Sequence, residues 1–215
     1  LRNDAVTEVL QSYRRAILAA RYYIYMEHQY LYYPEIGDYL ETAMKDNKEL
    51  NVIWTLPFFT EETRDPSQEH ADLLLGGQLA TSITDASQLL ANNQLRSQLA
   101  WHGFFRQHEM VEKLRRVDRT RFSAFSLRRI VPRQPPAETT SEMIYPHSKI
   151  ILCDDRFFSI GSANANGRGF TKDGELNVSA LAPGAAKALR ERLWGEHLGY
   201  GGVALTQPDG SLFLT

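Results

Sequence analysis

The sequence predicts an α/β fold in which a mixed sheet is flanked by helices on both faces. Segments with helical periodicity alternate with short apolar segments of strand length, which is the pattern of a layered α/β domain. The 215 residues suffice for one sizeable core, and 43% hydrophobic and 23% charged residues are ordinary for a globular protein. Internal repeats and low-complexity tracts are absent from the sequence, so we expect residues 1–215 to form a single domain.

The N-terminal quarter predicts two helices and two strands. Residues 4–21 form an amphipathic helix in this prediction, and "YYIYMEHQYLYY" follows as a β-prone segment. Pro34 suits the first turn of a helix that continues to Lys45, and "LNVIWTLP" is a strand ended by Pro57. The apolar stripe predicted for the first helix consists of Val6, Val9, Leu10, Tyr13, Ile17 and Leu18.

The central part of the chain predicts a loop, a long helix and a strand. Residues 58–86 are polar and acidic and include Gly76 and Gly77, which favours a loop or lid. Residues 87–116 predict a long helix, and "RFSAFSL" predicts the next strand. Residues 137–142 then form a connector.

The C-terminal third predicts three strands and a closing helix. The strands are expected in "YPHSKIILC", near residues 156–160 and in "ELNVSAL". The helix is expected over residues 183–198, with one stripe formed by Leu189, Leu193, Trp194 and His197.

The charge is small overall but unevenly distributed. A net charge of -2 argues against an obligate nucleic-acid binder. Residues 96–133 nevertheless carry ten basic and only three acidic side chains. This basic region is either a solvated helix face or a surface that contacts anionic headgroups or another anion.

Several features limit the class of protein. The single cysteine, Cys153, has no partner for an internal disulfide and is expected to be buried and inert. The longest apolar runs are too short to span a membrane, and the N-terminus carries no signal segment. Any targeting signal upstream of Leu1 is hidden, so a secreted or membrane-associated location stays open. Because the chain begins at Leu1 and not at Met, we expect it to be part of a longer protein.

The segment "YPHSKIILCDDRFFSIGSAN" contains the main candidate catalytic and binding residues. If the predicted strand is regular, His147 and Lys149 share a face, and Asp154 has the opposite parity. A histidine beside a lysine suits an anionic ligand. Ser162 and Asn164 lie two residues apart and can donate hydrogen bonds to the same anion, while Gly161 allows close backbone approach. We therefore assign Asp154 to the fold or its hydrogen-bond network.

The spacing His147-x-Lys149-x4-Asp154-x6-Gly161-Ser162-x-Asn164 resembles the HxK(x)4D(x)6GSxN signature of the phospholipase D superfamily. Five other segments are similar to the C-terminal catalytic half of phospholipases D: "YIYMEHQY", "RFSAFSLR", "GSANANGRGF", "DGELNV" and "LRERLWGEHLG". The resemblance implies the fold of a phospholipase D half-domain. It spans nearly the whole chain and is weakest over residues 58–97.

The resemblance implies a role for each group. Metal-free cleavage of a phosphodiester needs a nucleophile, a proton donor and cationic stabilisation of the developing charge. His147 would protonate the leaving alcohol, and Lys149, Ser162 and Asn164 would bind the phosphoryl oxygens. Glu175 matches the family acid that accepts from the second ring nitrogen of the catalytic histidine and fixes its tautomer. We predict no cofactor and no metal site.

Other polar residues have weaker assignments. Glu27, His28 and Gln29 either line the pocket, as the similar family segment lies near the site, or belong to the strand and core. His70, His102, His108 and His197 are expected to be solvated or packed. These histidines lack the ligand spacing of a zinc site.

Only His147 is followed by lysine two positions later. In-line displacement at phosphorus needs a nucleophile and an acid on opposite sides, and the family pairs two H-x-K motifs for this purpose. The second motif must come from an N-terminal half of the same protein or from a second copy of this chain. We expect the C-terminal half of a phospholipase D acting on glycerophospholipid headgroups at a membrane surface. The alternatives are a dimeric nuclease or other phosphodiesterase of the superfamily, and a catalytically silent half-domain that binds lipid or protein.

Overall fold

The structure is a computed structural model that describes residues 7–57, 106–131 and 140–199. The predicted loop or lid over residues 58–86 lies outside the described residues. The first part of the predicted helix over residues 87–116 and residues 137–139 of the connector also lie outside the described residues. The connector prediction is wrong at residues 140–142, which belong to the strand Thr140–Met143.

Five helices and eight strands form the described part of the chain. The helices are α1 (Glu8–Ala19), α2 (Pro34–Asp46), α3 (residues 106–117), α4 (Gly167–Thr171) and α5 (Pro183–His197). The strands are β1 (Tyr23–Glu27), β2 (Asn51–Thr55), β3 (Phe122–Phe125), β4 (Arg128–Val131), β5 (Thr140–Met143), β6 (Ile150–Cys153), β7 (Phe157–Gly161) and β8 (Asn177–Leu181). Pro34 and Pro183 each begin a helix, where the missing N–H costs no hydrogen bond.

Six strands form one mixed sheet in the order β3-β2-β1-β6-β7-β8, and β4 and β5 form a separate antiparallel pair. The strands β1, β2 and β3 run parallel, whereas β6 is antiparallel to β1 and β7 and β8 continue the antiparallel pairing. Consequently the C-terminal ends of β1 and β7 and the N-terminal ends of β6 and β8 meet at one edge, here called the site edge.

Helices cover both faces of the sheet, as the sequence predicts. On one face α1, α2 and α3 pack over Ile24, Val52 and Ile151. On the other face Trp194 of α5 packs over Tyr25. The predicted stripe of α1 is confirmed at Leu10, Tyr13 and Ile17, which are buried, but it is wrong at Leu18, whose side chain is 43% exposed.

The end of the sheet opposite the site edge, here called the turn end, is formed by the connection between β6 and β7. Asp154 and Asp155 both have positive φ, which aspartate tolerates in a tight turn. Cys153, the last residue of β6, is buried, and burial raises the pKa of its thiol. In the described ranges, no helix combines the length and apolar character needed to cross a bilayer.

Candidate active site

The site edge brings together the segments that the sequence analysis selects. Glu27, the last residue of β1, pairs with Ile150, the first residue of β6. Gly161, at the end of β7, pairs with Asn177, the first residue of β8. The backbone N–H of Gly161 also donates to the Lys149 carbonyl at 3.2 Å. Residues 147–149, 161–164 and 175–177 are therefore neighbours in space.

His147 lies outside the sheet, which corrects one prediction. β6 begins at Ile150, and residues 144–149 have no regular secondary structure. Pro146 lacks the N–H that a ladder needs, which explains why the strand does not reach back through His147. The strand parity that relates His147 to Lys149 is therefore wrong for the histidine. Its side chain is exposed and lines a cavity of about 550 Å³.

Lys149 is almost completely buried, with 4% of its surface exposed. Its ammonium Nζ donates to the His147 carbonyl oxygen at 2.6 Å. The two residues of the motif are thus joined through the histidine backbone, and their side chains do not share a strand face. A buried ammonium needs hydrogen-bond acceptors or an anion nearby, and the His147 carbonyl supplies one such acceptor.

Ser162 and Asn164 are held in place by different contacts. The Ser162 hydroxyl accepts from the Leu176 N–H at 3.1 Å, and the Ser162 N–H donates to the Leu176 carbonyl at 3.0 Å. Asn164 lies under α4, because a Cβ added to Gly169 would come within 2.5 Å of the Asn164 carbonyl oxygen. The buried Oδ1 of Asn164 has no hydrogen-bond partner among the described residues.

Gly161 allows the close approach of the two chain segments at this edge. A Cβ at this position would lie 2.2 Å from both the Leu176 carbonyl oxygen and Asn177 Oδ1. Asn177 Oδ1 in turn accepts from the Ala163 N–H at 3.2 Å, so Asn177 holds the Gly-Ser-Ala-Asn segment. Glu175 is half-buried in the residues that lead into β8, two positions before Asn177.

Three consecutive residues at the end of β1, Glu27, His28 and Gln29, lie in different environments. Glu27 is 5% exposed and lines the cavity beside His147. His28 is fully buried on the α1 face, where Tyr13 Oη lies 3.2 Å from its Nε2, and it does not line that cavity. Gln29 is also buried and does not line it. Burial and the positive charge of Lys149 lower the pKa of His28 to about 3, so His28 is neutral near pH 7.

The cavity has a mixed lining. Beside His147 and Glu27 stand the basic Arg128 and Arg129 of β4 and the imidazole of His197 at the end of α5. A larger groove of about 720 Å³ lies at the turn end beside Asp154 and contains none of the other predicted site residues. Of the predicted site residues, His147 and Glu27 line the smaller cavity, whereas Lys149, Ser162, Asn164 and Glu175 do not. In the described segments no three His, Cys, Asp or Glu side chains are grouped as metal ligands.

Asp154 lies at the turn end, far from the site edge. Its carboxylate accepts from the backbone N–H groups of Arg21, Tyr22 and Tyr23 at 2.7, 2.8 and 2.9 Å. These contacts support a role in the fold and none in phosphate binding.

The fold and the groups at the site edge define an α/β protein with a candidate anion-binding site at one edge of its sheet. Residues 81–195, more than half of the chain, match the family model described as "Cardiolipin synthase, PLD-like domain". The protein therefore belongs to the phospholipase D-like family.

The phospholipases D that this chain matches are much longer than the chain itself. Phospholipase D gamma 2 of Arabidopsis thaliana is 35% identical over an alignment of 101 positions. The alignment covers 36% of this chain and 12% of that protein. Phospholipase D1 of Schizosaccharomyces pombe is 27% identical over an alignment of 232 positions. The alignment covers 91% of this chain and 16% of that protein. The crystal structure of phosphatidylserine synthase from Haemophilus influenzae aligns with a TM-score of 0.53 at 11% identity. It covers 90% of this chain and 36% of the synthase, and it supports the fold assignment alone.

Two residues at the site edge were not selected from the sequence. His197, expected to be solvated or packed, lies 3.3 Å from Glu27 and lines the cavity. Ser148, between His147 and Lys149, donates to Glu27 through its hydroxyl. Its polar side chain between the two motif residues His147 and Lys149 is the signal that could have identified it.

Proposed function

We propose that this chain supplies one half of the active site of a phospholipase D-type phosphodiesterase that hydrolyses or transfers glycerophospholipid headgroups. The observation that carries the proposal is the convergence at the site edge. One edge of the sheet gathers His147, Lys149, the Gly-Ser-Ala-Asn segment and Glu175, and a cavity of about 550 Å³ opens beside His147.

Each group has a chemical role in this proposal. The imidazole of a second H-x-K half forms an N–P bond while the bond from phosphorus to the leaving alcohol oxygen breaks. His147 gives its ring proton to that oxygen. Lys149, Ser162 and Asn164 stabilise the charge on the other phosphoryl oxygens. Glu175 orients the His147 ring.

The second step resolves the phosphohistidine. Water or a primary alcohol forms a new P–O bond as the N–P bond breaks, and His147 takes the proton from the attacking oxygen. Because this chain has one H-x-K motif, the nucleophile comes from an N-terminal half or from a second copy. The chain is then a single half-domain, and we favour the two-half polypeptide.

The rim of the cavity supports a lipid substrate over a nucleic acid. Ile144 and Leu198 line it and are 44% and 57% exposed, and the exposed Arg128 and Arg129 stand beside them. Apolar side chains next to arginines suit the boundary between acyl chains and anionic headgroups. A groove for single-stranded nucleic acid would favour stacking aromatic rings, and the described cavity lining contains no Phe, Tyr or Trp.

The experiment compares the chain alone and the complete two-half enzyme on phosphatidylcholine vesicles and on single-stranded DNA. The complete enzyme should release choline and, with added ethanol, form phosphatidylethanol. The control is His147→Ala in the same enzyme. Cleavage of DNA without turnover of lipid would favour a nuclease, and binding of lipid without turnover would favour a silent half-domain.

The chain alone should turn over very little, because it supplies an acid and no nucleophile. A symmetric dimer would instead be active and show second-order dependence on protein at low concentration. A monomer with full turnover, established by solution mass, would contradict both arrangements.

A further inference from the structure

The middle residue of the H-x-K motif is fixed to a buried carboxylate. The Ser148 hydroxyl donates to Oε1 of Glu27, which ends the neighbouring strand β1. Ser148 is half-buried and Glu27 is 5% exposed. The contact joins residues 121 positions apart, and both line the cavity that His147 lines.

The second oxygen of this carboxylate is also occupied. Tyr25 donates its hydroxyl to Glu27 Oε2 at 2.6 Å, and His197 Nε2 lies 3.3 Å from the same oxygen. Tyr25 Oη lies 3.4 Å from His197 Nδ1, which closes the cluster. Burial and the Glu27 charge raise the pKa of Tyr25, so its hydroxyl stays a donor near pH 7. The cluster holds Glu27 in one position.

A fixed Glu27 matters because no sheet ladder fixes His147. Residues 144–149 have no regular secondary structure, so the backbone that carries His147 depends on individual contacts. One is the hydrogen bond from Lys149 Nζ to the His147 carbonyl at 2.6 Å. A second is the bond from the Gly161 N–H to the Lys149 carbonyl at 3.2 Å. Ser148 provides the third, and it acts on the α5 side, where the cavity lies.

We propose that Ser148 and Glu27 are positioning residues that set the orientation of His147 toward the substrate, with His197 as a further contact of the Glu27 carboxylate. The role rests on the proposed function, since it assumes that His147 is the acid. A displacement of about 1 Å at a reacting group can lower a rate by up to about 100-fold. Loss of the tether should therefore lower kcat more than it raises KM.

The kinetic test uses the complete enzyme with Ser148→Ala, Ser148→Thr and Glu27→Gln. Ser148→Ala should lower kcat roughly 10- to 100-fold with KM changed less than about threefold. Ser148→Thr keeps the hydroxyl and should restore most of kcat. Glu27→Gln keeps the shape and removes the charge, and combined with Ser148→Ala it should add little further loss. The matched control is Ser12→Ala, because Ser12 is a half-buried serine on α1 that contacts Ser179 and does not line the cavity.

A second readout does not depend on turnover. In the chain labelled with ¹⁵N-histidine, the ring signals of His147 are assigned by their loss in His147→Gln. They should move in Ser148→Ala, return in Ser148→Thr and stay unchanged in Ser12→Ala. If the enzyme proves inactive on every phosphodiester, the proposed function fails while this measurement still tests the tether.

Two results would overturn the inference. One is a folded Ser148→Ala enzyme whose kcat stays within about twofold of the unmodified enzyme and whose His147 signals do not move. The other is a loss of thermal stability in Ser148→Ala with kcat unchanged, which would make the contact structural only.

Discussion

Buried charged and polar groups are paired differently at the two ends of the central sheet. At the turn end, Asp155 accepts two hydrogen bonds from Arg190, at 2.6 and 2.7 Å, and one from Tyr23 at 2.7 Å. Arg190 is fully buried and its guanidinium lies 5.2 Å from the ring centre of Trp194. Burial raises the pKa of Asp155, but the hydrogen bonds and charge of Arg190 outweigh it and hold the pKa below its usual range.

At the site edge, the buried Glu27 carboxylate is held by Ser148, Tyr25 and His197, but other buried polar groups are less completely bonded. Lys149 places its ammonium on a backbone carbonyl, and His28 is neutral. His28 Nδ1 and Asn164 Oδ1 have no hydrogen-bond partner among the described residues. Arg190 Nη1 at the turn end also lacks one, but its charge is paired with Asp155. Buried polar atoms without partners cost free energy, so their presence at one edge is what a ligand site would retain.

The comparison predicts that substitutions at the site edge affect activity and that substitutions at the turn end affect stability. The largest expected effect is that of His147→Ala in the complete enzyme. Loss of a general acid should lower kcat about 10²- to 10⁴-fold, and the melting temperature should change little because the side chain is exposed. Enzyme kinetics and thermal denaturation check both parts.

A suitable control is His108→Ala, which removes an exposed histidine from α3. It should leave kcat and the melting temperature unchanged. Retained activity in folded His147→Ala enzyme would refute the proposed mechanism.

The second effect belongs to the turn end. Asp154→Ala removes the acceptor of three backbone N–H groups and leaves alanine at a φ of 54°. Hydrogen bonds to a charged group contribute about 1.5–3 kcal/mol each but are not additive, so we expect a loss of roughly 2–3 kcal/mol in the free energy of unfolding. Urea denaturation measures it, while kcat per folded molecule should stay constant.

Asp154→Asn sharpens this prediction. Asparagine tolerates positive φ and keeps one acceptor oxygen, so the loss should be smaller than with alanine. An unchanged stability in Asp154→Ala would count against the structural role of Asp154.

Most of the fold could be predicted because it depends on local patterns. Alternating periodicity gave the elements, and the buried positions of Tyr13 and Ile17 follow from helical spacing. The prediction that Leu18 is buried was wrong, because the buried stripe of α1 is narrower than the apolar pattern of the sequence. The start of β6 was wrong because strand parity was extended through Pro146, which has no N–H for the ladder.

The site was predictable only in part, for the same physical reason. The spacing of His147, Lys149 and Asn164 is local and visible in one sequence. The contacts of Glu27 with Ser148 and of Tyr25 with His197 join residues 121 and 172 positions apart, and only the fold brings them together. For His28 the sequence left pocket and core as alternatives, and its parity with Met26 places it on the α1 face.

The smallest effect concerns His28 and appears as pH-dependent stability. Its pKa is about 3 in the folded protein, and an unfolded histidine has a pKa of about 6.5. Between these values the unfolded chain binds a proton that the folded protein excludes. The stability from neutral His28 is therefore complete above about pH 6.5 and is lost as the pH falls below it, by about 1 kcal/mol per pH unit.

The measurement is urea denaturation at pH 7, 6 and 5 for the unmodified chain and for His28→Gln. The unmodified chain should lose stability more steeply than the variant, and the difference between the two slopes isolates His28 from the other histidines. His28→Gln should itself be less stable at pH 7, because glutamine does not reproduce the packing of the ring against Tyr13 and Trp54. Equal slopes would mean that His28 has the same pKa in the folded and the unfolded chain. That result would remove the distinction between a neutral buried histidine beside Lys149 and the paired charges of the turn end.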